Sequence, residues 1–491
     1  MFLHYLNITS SFVLLAVFFS QPALASINEA IVKIYTVSNP SSYHNPWQKK
    51  GQKLFHGSGA IIEGNRILTN AHVVADNMFI QVRRAGAANK YHAEIEAIDY
   101  ESDLALLSVE EKEFFKDAQP LALGTSLAKV RDKVAVYGFP EGGDKLSITE
   151  GVVSRIDHIE YAYSGARLLT CQIDAPINAG NSGGPVIYDN KITGVAFQGM
   201  GGAYENIGYM IPTPIVRHFL TDLQDNKKID GFPTLGVLMQ KLENPDMRRY
   251  YKLKGRNYGV LVNKIYAHSP AKGILQPGDI ILKINGVKIS SDGTIEFRKG
   301  QRTFFGYITQ QKQIGDSLIL NILRNGFEQN VNIVMDVPQE ANRLVPLEHE
   351  QKPRYYIYGG LVFEPLTLNY LQEFGNDGKD WPSNAPVAML NYYLNGEKKS
   401  PFREIVFLSK VLADESNVGF HDFANAIITE VNGVKIHSFH HLIKMIQKSK
   451  EDFILFKTAR GLEITLHQKT IKKRINHILK KYQISSQSSE S

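Results

Sequence analysis

The stretch that decides the fold is Asn178-Ala179-Gly180-Asn181-Ser182-Gly183-Gly184-Pro185. A serine hydroxyl is a poor nucleophile. A site built on one needs a base to take its proton, a group to orient that base, and donors for the oxyanion that forms. Glycines around the serine permit the tight turn that aims backbone N–H groups at one point. Upstream, Leu68-Thr69-Asn70-Ala71-His72-Val73-Val74 sets a histidine at a strand end, followed by a short helical turn. Between the two, Glu101-Ser102-Asp103-Leu104-Ala105-Leu106-Leu107 puts a carboxylate at the edge of an apolar run, where a buried aspartate can hold an imidazole.

The chain order is therefore His72, Asp103, Ser182. Chymotrypsin-type double barrels use this order, whereas α/β-hydrolases run Ser-Asp-His and subtilisins Asp-His-Ser. The surrounding text agrees. Over residues 31–211 short β-type runs such as AIVKIYTV, FIQVRR, VAVYGFP and GVVSRI are broken by turn signals, with little helix between them. Regular strands of this kind predict an all-β sandwich or barrel pair. A helical pattern follows at 212–220 and ends in a polar stretch at 222–230, which predicts a first domain over 26–229.

Two further units follow, predicted over 230–340 and 341–469. Ile284-Asn285-Gly286-Val287-Lys288-Ile289 in the first recurs as Val431-Asn432-Gly433-Val434-Lys435-Ile436 in the second, which indicates duplication of a small module. Asn-Gly between alternating apolar residues predicts a hairpin, because that turn needs two consecutive residues at positive φ. A helix is predicted near 302–311. Residues 371–402 read as an insertion into the second copy, and 470–482 as a basic amphipathic helix docked on the domain, within a terminal segment 470–491. The Ser-rich end, 483–491, is expected to be disordered.

Composition narrows the function classes. At 491 residues the length suggests about three domains. With 43% apolar and 21% charged residues the chain is globular, neither a disordered polymer nor a multi-span membrane protein. A net charge of +6 is too dilute to argue for nucleic acid. The single cysteine, Cys171, forbids an intramolecular disulfide and any zinc site needing two thiolates, and reads as a buried strand residue. His437, His440 and His441 lack an acidic or thiol partner at ligand spacing and read as a solvated turn. No metal and no cofactor are expected. The apolar run 12–19 (FVLLAVFF) followed by Ala23-Leu24-Ala25 predicts a signal peptide over 1–25, with the mature chain starting at Ser26. An exported single-thiol protein fits the periplasm; an uncleaved membrane anchor is the alternative.

These residues resemble the Deg/HtrA serine proteases. LTNAHVV, SDLALL, GNSGGP and GYMIPTP are similar to that family's protease domain, and QPGDIILKINGVKI to its PDZ domains. GFPTLGVLMQKLENPDMRR, YYIYGGLVFEPLT and IVFLSKVLADESNVGF resemble the plant-type branch, which carries two dissimilar PDZ modules. The resemblance implies a mainly β fold: a chymotrypsin-like double β-barrel protease domain followed by two PDZ-like α+β domains. It implies Ser182 as nucleophile, His72 as general base and then acid, Asp103 as the group fixing the His72 tautomer, and the amides of Gly180 and Ser182 as the oxyanion hole.

Val195, Ala196, Phe197, Ile207, Gly208, Tyr209 and Met210 fall where the family's specificity pocket has its walls. Pro176 stands where a trypsin-like pocket would carry an aspartate, so small or branched apolar side chains are the expected substrates. Tyr161–Arg167 and Gln198–Asn206 resemble the regulatory and specificity loops. Peptide-binding loops of the PDZ modules would be Thr234-Leu235-Gly236-Val237 and Gly359-Gly360-Leu361; the second departs from the family pattern, so assembly is as natural a role for it. The implied partners are unfolded or damaged proteins, C-terminal peptides and further copies of the chain, in trimers or multiples of trimers. A PDZ-based chaperone that scarcely cleaves is the alternative reading.

Overall fold

The β-type runs of the first domain close into two antiparallel barrels. The computed structural model describes residues 27–141, 143–200, 207–225, 229–375 and 380–490. The segment expected as a signal peptide, and residues 201–206 of the expected specificity loop, lie outside the described residues. In the first barrel, β1 (Ile31–Ser38), β2 (Lys53–Ile62), β3 (Arg66–Thr69), β4 (Asn77–Arg84), β5 (Tyr91–Asp99) and β6 (Leu104–Ser108) close in the order β1-β2-β3-β6-β5-β4. In the second, β7 (Lys133–Gly138), β8 (Ser147–Glu160), β9 (Arg167–Ile173), β10 (Pro185–Tyr188), β11 (Lys191–Met200) and β12 (Ile207–Pro212) close as β10-β11-β12-β9-β8-β7. Their inward branched residues form one apolar core through both barrels. Each fully buried Val, Ile, Leu or Phe there contributes about 1.5–3 kcal/mol. The helix Thr213–Asp225 docks on this core through Ile215, Val216 and Phe219.

The first following module contains β13 (Val237–Lys241), β14 (Val260–Ile265), β15 (Ile280–Ile284), β16 (Val287–Lys288), β17 (Thr294–Arg298), β18 (Gln301–Phe304), β19 (Ser317–Arg324) and β20 (Phe327–Val334), with the main sheet ordered β13-β14-β15-β19-β20. Asn285 and Gly286 both sit at positive φ, as the hairpin requires. The helix expected over 302–311 is instead β18 plus a four-residue helix, Gly306–Thr309. Aromatic and β-branched residues in Thr303-Phe304-Phe305 favour strand, and the helix start has no side-chain cap.

In the second module β21 (Tyr356–Tyr358), β22 (Leu361–Pro365), β23 (Val406–Val411), β24 (Ala426–Val431), β25 (Val434–Lys435), β26 (Phe453–Thr458) and β27 (Glu463–His467) form a sheet ordered β21-β22-β23-β24-β26-β27, with β25 paired to β24. Asn432 and Gly433 repeat the positive-φ hairpin. The segment read as an insertion carries helices Trp381–Asn384 and Val387–Asn395, which pack Met389 and Ala385 into a separate apolar cluster with Leu368 and Leu371. The basic helix, Gln468–Lys481, docks through Ile471 and Ile478.

Two expectations are corrected here. His440 and His441 lie in the first turn of the helix Phe439–Lys448, capped by Ser438, rather than in a solvated turn. The Ser-rich end is also ordered: Ile357 N donates to Gln487 O at 2.8 Å and Ser489 N to Tyr355 O at 3.1 Å, while Ile484 is buried. The open edge of β21 offers backbone partners that a polar tail can satisfy, and local composition does not register such an edge.

Candidate active site

Asn70 ends the run from β3 and leads into the one-turn helix Ala71–Val74, which carries His72. Asp103 precedes β6 in a turn where its φ is +56°, a left-handed conformation that aspartate tolerates better than most residues. The strain is held by contacts. Asn70 Nδ2 donates to Asp103 O at 2.8 Å, and Asp103 is 1% exposed. Its Oδ2 lies 2.7 Å from His72 Nδ1, and its Oδ1 accepts from His72 N at 2.9 Å. The carboxylate thus grips both the ring and the backbone of the histidine. With Nδ1 protonated toward Asp103, Nε2 is left as the acceptor. Burial, the largest influence, disfavours imidazolium, yet the charge of Asp103 and its hydrogen bond outweigh it and raise the His72 pKa above the ordinary 6.5.

Ser182 comes from the second barrel, in the turn before β10. Ser58 of β2 ties that turn to the first barrel: its Oγ donates to Gly180 O at 2.7 Å and accepts from Phe139 N at 2.9 Å, while its amide donates to Ser182 O at 2.8 Å. The carbonyl of Ala179 accepts from Glu141 N at 2.8 Å. In a planar trans peptide the N–H points opposite to the C=O, so the Gly180 amide is turned away from Glu141. Among the described residues neither Gly180 N nor Ser182 N donates a hydrogen bond. Two neighbouring amides without an acceptor are what a tetrahedral oxyanion needs. Ser182 Oγ itself donates to Phe197 O at 3.3 Å, a long bond that yields readily to a turn about χ1.

The glycines are required sterically. Gly180 and Gly183 have φ of +94° and +84°; a Cβ at the first would collide with the Phe139 carbonyl, and at the second with the Ser58 carbonyl and Thr69 hydroxyl. Gly183→Ala is expected to destabilise the protease domain by about 2 kcal/mol or more, read as a lower urea midpoint. An unchanged midpoint would contradict the tight junction described.

The residues expected around a specificity pocket are buried in the second barrel, apart from Ile207, which is half-buried. Val195, Ala196 and Met210 are 0–1% exposed and pack with Phe197 and Tyr209 in the barrel core. β11 is hydrogen-bonded along both edges, to β10 and to β12. Phe197 and Tyr209 are 5% exposed, and Gly208 is packed against the Ile177 side chain, a contact that the sequence reading passed over. Ser58 was also missed; Gly57-Ser58-Gly59 inside a strand is its only local signal. Cys171 is fully buried, and burial pushes its thiol up to about 12, so it stays protonated and inert.

The two module loops differ. Thr234 Oγ1 accepts from Gly236 N at 3.0 Å and Ser269 Oγ donates to Leu235 O at 2.8 Å, which shapes the loop ahead of Val237. Among the described residues β13 pairs only with β14, so its outer edge is open. Gly359 and Gly360, by contrast, form the tight turn between β21 and β22; Leu361 is buried and β22 is paired on both sides.

Comparison with known proteins fits this architecture. Residues 57–195 match the trypsin-like peptidase domain model, and residues 233–335 and 345–491 match PDZ domain models. An HtrA-type protease solved with a decapeptide has the same fold, with a TM-score of 0.50 at 24% identity over 64% of this chain and 96% of that one. The class is therefore a trypsin-like serine endopeptidase with two PDZ domains. Putative protease Do-like 3, mitochondrial, from Arabidopsis thaliana is 38% identical over 462 residues, 94% of this chain and 79% of its own. Protease Do-like 2, chloroplastic, from the same plant is 39% identical over 470 residues, 95% and 75% of the two chains. The chain belongs to the Do-like, or Deg/HtrA, family of serine proteases.

Proposed function

We propose that this endopeptidase cleaves unfolded or damaged proteins with Ser182 as nucleophile, His72 as general base and then acid, and Asp103 as the orienting carboxylate. The observation that carries this assignment is the double grip of Asp103 on His72 beside a Ser182 turn with two free amides. Ser182 Oγ turns from Phe197 O toward Nε2 and attacks the scissile carbonyl as its proton passes to His72. The developing oxyanion is met by the amides of Gly180 and Ser182, and Asp103 stabilises the imidazolium. His72 then protonates the leaving amine, and water repeats the sequence on the acyl-enzyme.

The open edge of β13 supports peptide addition at the first PDZ domain, while the closed surroundings of β22 favour an assembly role for the second. Self-association into trimers or their multiples belongs to this reading. So does passage out of the cytosol on the segment 1–25; the compartments in the relatives' names, mitochondrial and chloroplastic, favour an organelle over the periplasm. Sequencing of the mature amino terminus tests this: a start at Ser26 supports cleavage, and a retained Met1 contradicts it. The activity is tested by incubating the chain with reduced casein and reading product termini by mass spectrometry. Cleavage after Val, Ala or Ile is expected, and cleavage confined to Arg or Lys would contradict the pocket.

The reaction needs neutral His72. Because Asp103 raises its pKa, kcat/KM is expected to fall as pH drops through a midpoint above 6.5. A pH–rate profile with its acid limb below 6 would oppose the assigned pairing.

A further inference from the structure

A row of aromatic rings leads away from the candidate base. The Tyr163 ring lies 5.9 Å from that of His72 and 6.4 Å from that of Tyr100; His349 stacks flat on Tyr100 with ring centres 3.7 Å apart. His349 belongs to neither barrel but to the start of the second PDZ domain, whose match spans 345–491. These rings form one side of a cleft of about 330 Å³. Its remaining walls include Asp76, just beyond the His72 helix, Lys50, and Glu348, Glu350 and Glu373 of the second PDZ domain.

The cleft has uncompensated negative charge. Among its described walls the one ammonium, Lys50, is taken by Glu373 at 2.9 Å. Arg354 holds Glu348 Oε1 at 2.9 Å, while Glu348 Oε2 is buried with no hydrogen-bond partner among the described residues. Asp76 and Glu350 have no ion pair among the described residues; desolvation raises the Asp76 pKa, an effect that the nearby Lys49 charge partly offsets. Burial holds the His349 pKa down at about 4, so this ring is neutral and adds no opposing charge. The cavity volume is at the small end of the range for ligand pockets, enough for one long side chain.

We propose that this cleft is a substrate subsite for a lysine or arginine side chain near the scissile bond, with one wall supplied by the second PDZ domain. It rests on the assignment of Ser182 and His72 above. An extended peptide advances about 3.3 Å per residue, so a cleft beginning at the ring beside His72 receives a residue within about three positions of the cleaved bond. A basic side chain lays its apolar stem along the rings and its charge over their faces, where cation–π attraction adds to that of the carboxylates. Cleavage is then specified twice, by an apolar residue at the serine and a basic one near it. The second preference depends on where the PDZ domains sit.

The test uses peptides of one sequence carrying lysine or glutamine at each position around the cleaved bond, with the full chain and with Asp76→Asn/Glu350→Gln. At one position the lysine peptide is expected to be cleaved about tenfold more efficiently, with the ratio near one in the double variant. Raising ionic strength is expected to shrink the wild-type ratio without any substitution. Equal cleavage of lysine and glutamine peptides at every position overturns the subsite and leaves the endopeptidase assignment standing. If no peptide is cleaved, that assignment fails instead, and anisotropy of the labelled peptides on Ser182→Ala decides the cleft. Tighter lysine binding that is lost on adding Asp76→Asn/Glu350→Gln supports it, and binding indifferent to charge overturns it.

Discussion

Ser182→Ala is expected to lower kcat on casein by about 10⁴- to 10⁶-fold, leaving only the residual rate that substrate binding and the oxyanion amides provide. The variant removes one oxygen whose hydrogen bond, to Phe197 O, is 3.3 Å long, so the barrels should be undisturbed. Thermal unfolding is expected to stay within about 0.5 kcal/mol of wild type. Binding of unfolded substrate should persist, because the open edge of β13 is untouched. The two readouts separate chemistry from folding. A variant that still cleaves casein would show that the hydrolytic centre lies elsewhere, and one that neither cleaves nor folds would point to a structural role for the hydroxyl.

Asp103→Asn is expected to cost about 10⁴ in kcat while keeping the geometry, a magnitude taken from the corresponding change in a serine protease triad. An asparagine can still accept from His72 N through its carbonyl oxygen. Its NH₂ then faces Nδ1 and donates to it, which moves the ring proton to Nε2, the atom that must accept from Ser182. Loss of the carboxylate charge also removes what raises the His72 pKa, leaving burial to lower it. The acid limb of any residual activity should therefore move to lower pH. A loss under tenfold, or an unmoved limb, would mean that the contacts at 2.7 and 2.9 Å do not set the tautomer.

The legible part of the molecule was the part encoded locally. GNSGGP predicts a constrained turn because its glycines stand where neighbouring carbonyls leave no space for Cβ, and the two Asn-Gly hairpins sit at the positive φ their composition demands. His72 and Asp103 were readable from their short motifs, although the grip between them is a contact across β3 and β6. What was missed depends on distant chain. The tail 483–490 is ordered by the β21 edge. Ser58 matters through its bonds to Phe139, Gly180 and Ser182, and His349 through the face of Tyr100. Neither the identity nor the spacing of these residues announces such partners. The helix expected near 302–311 failed for a nearer reason, aromatic and β-branched side chains that favoured strand.

The most direct measurement of the central claim is covalent trapping of the nucleophile. The full chain would be treated with a fluorophosphonate, a reagent that needs a serine activated by a base and an oxyanion cradle, and digested for mass spectrometry beside His72→Ala. The account predicts a single adduct on the peptide containing Ser182, formed in step with the loss of caseinolytic activity and nearly absent in His72→Ala. Complete inactivation with the adduct on another residue, or undiminished activity once Ser182 is fully modified, would contradict it.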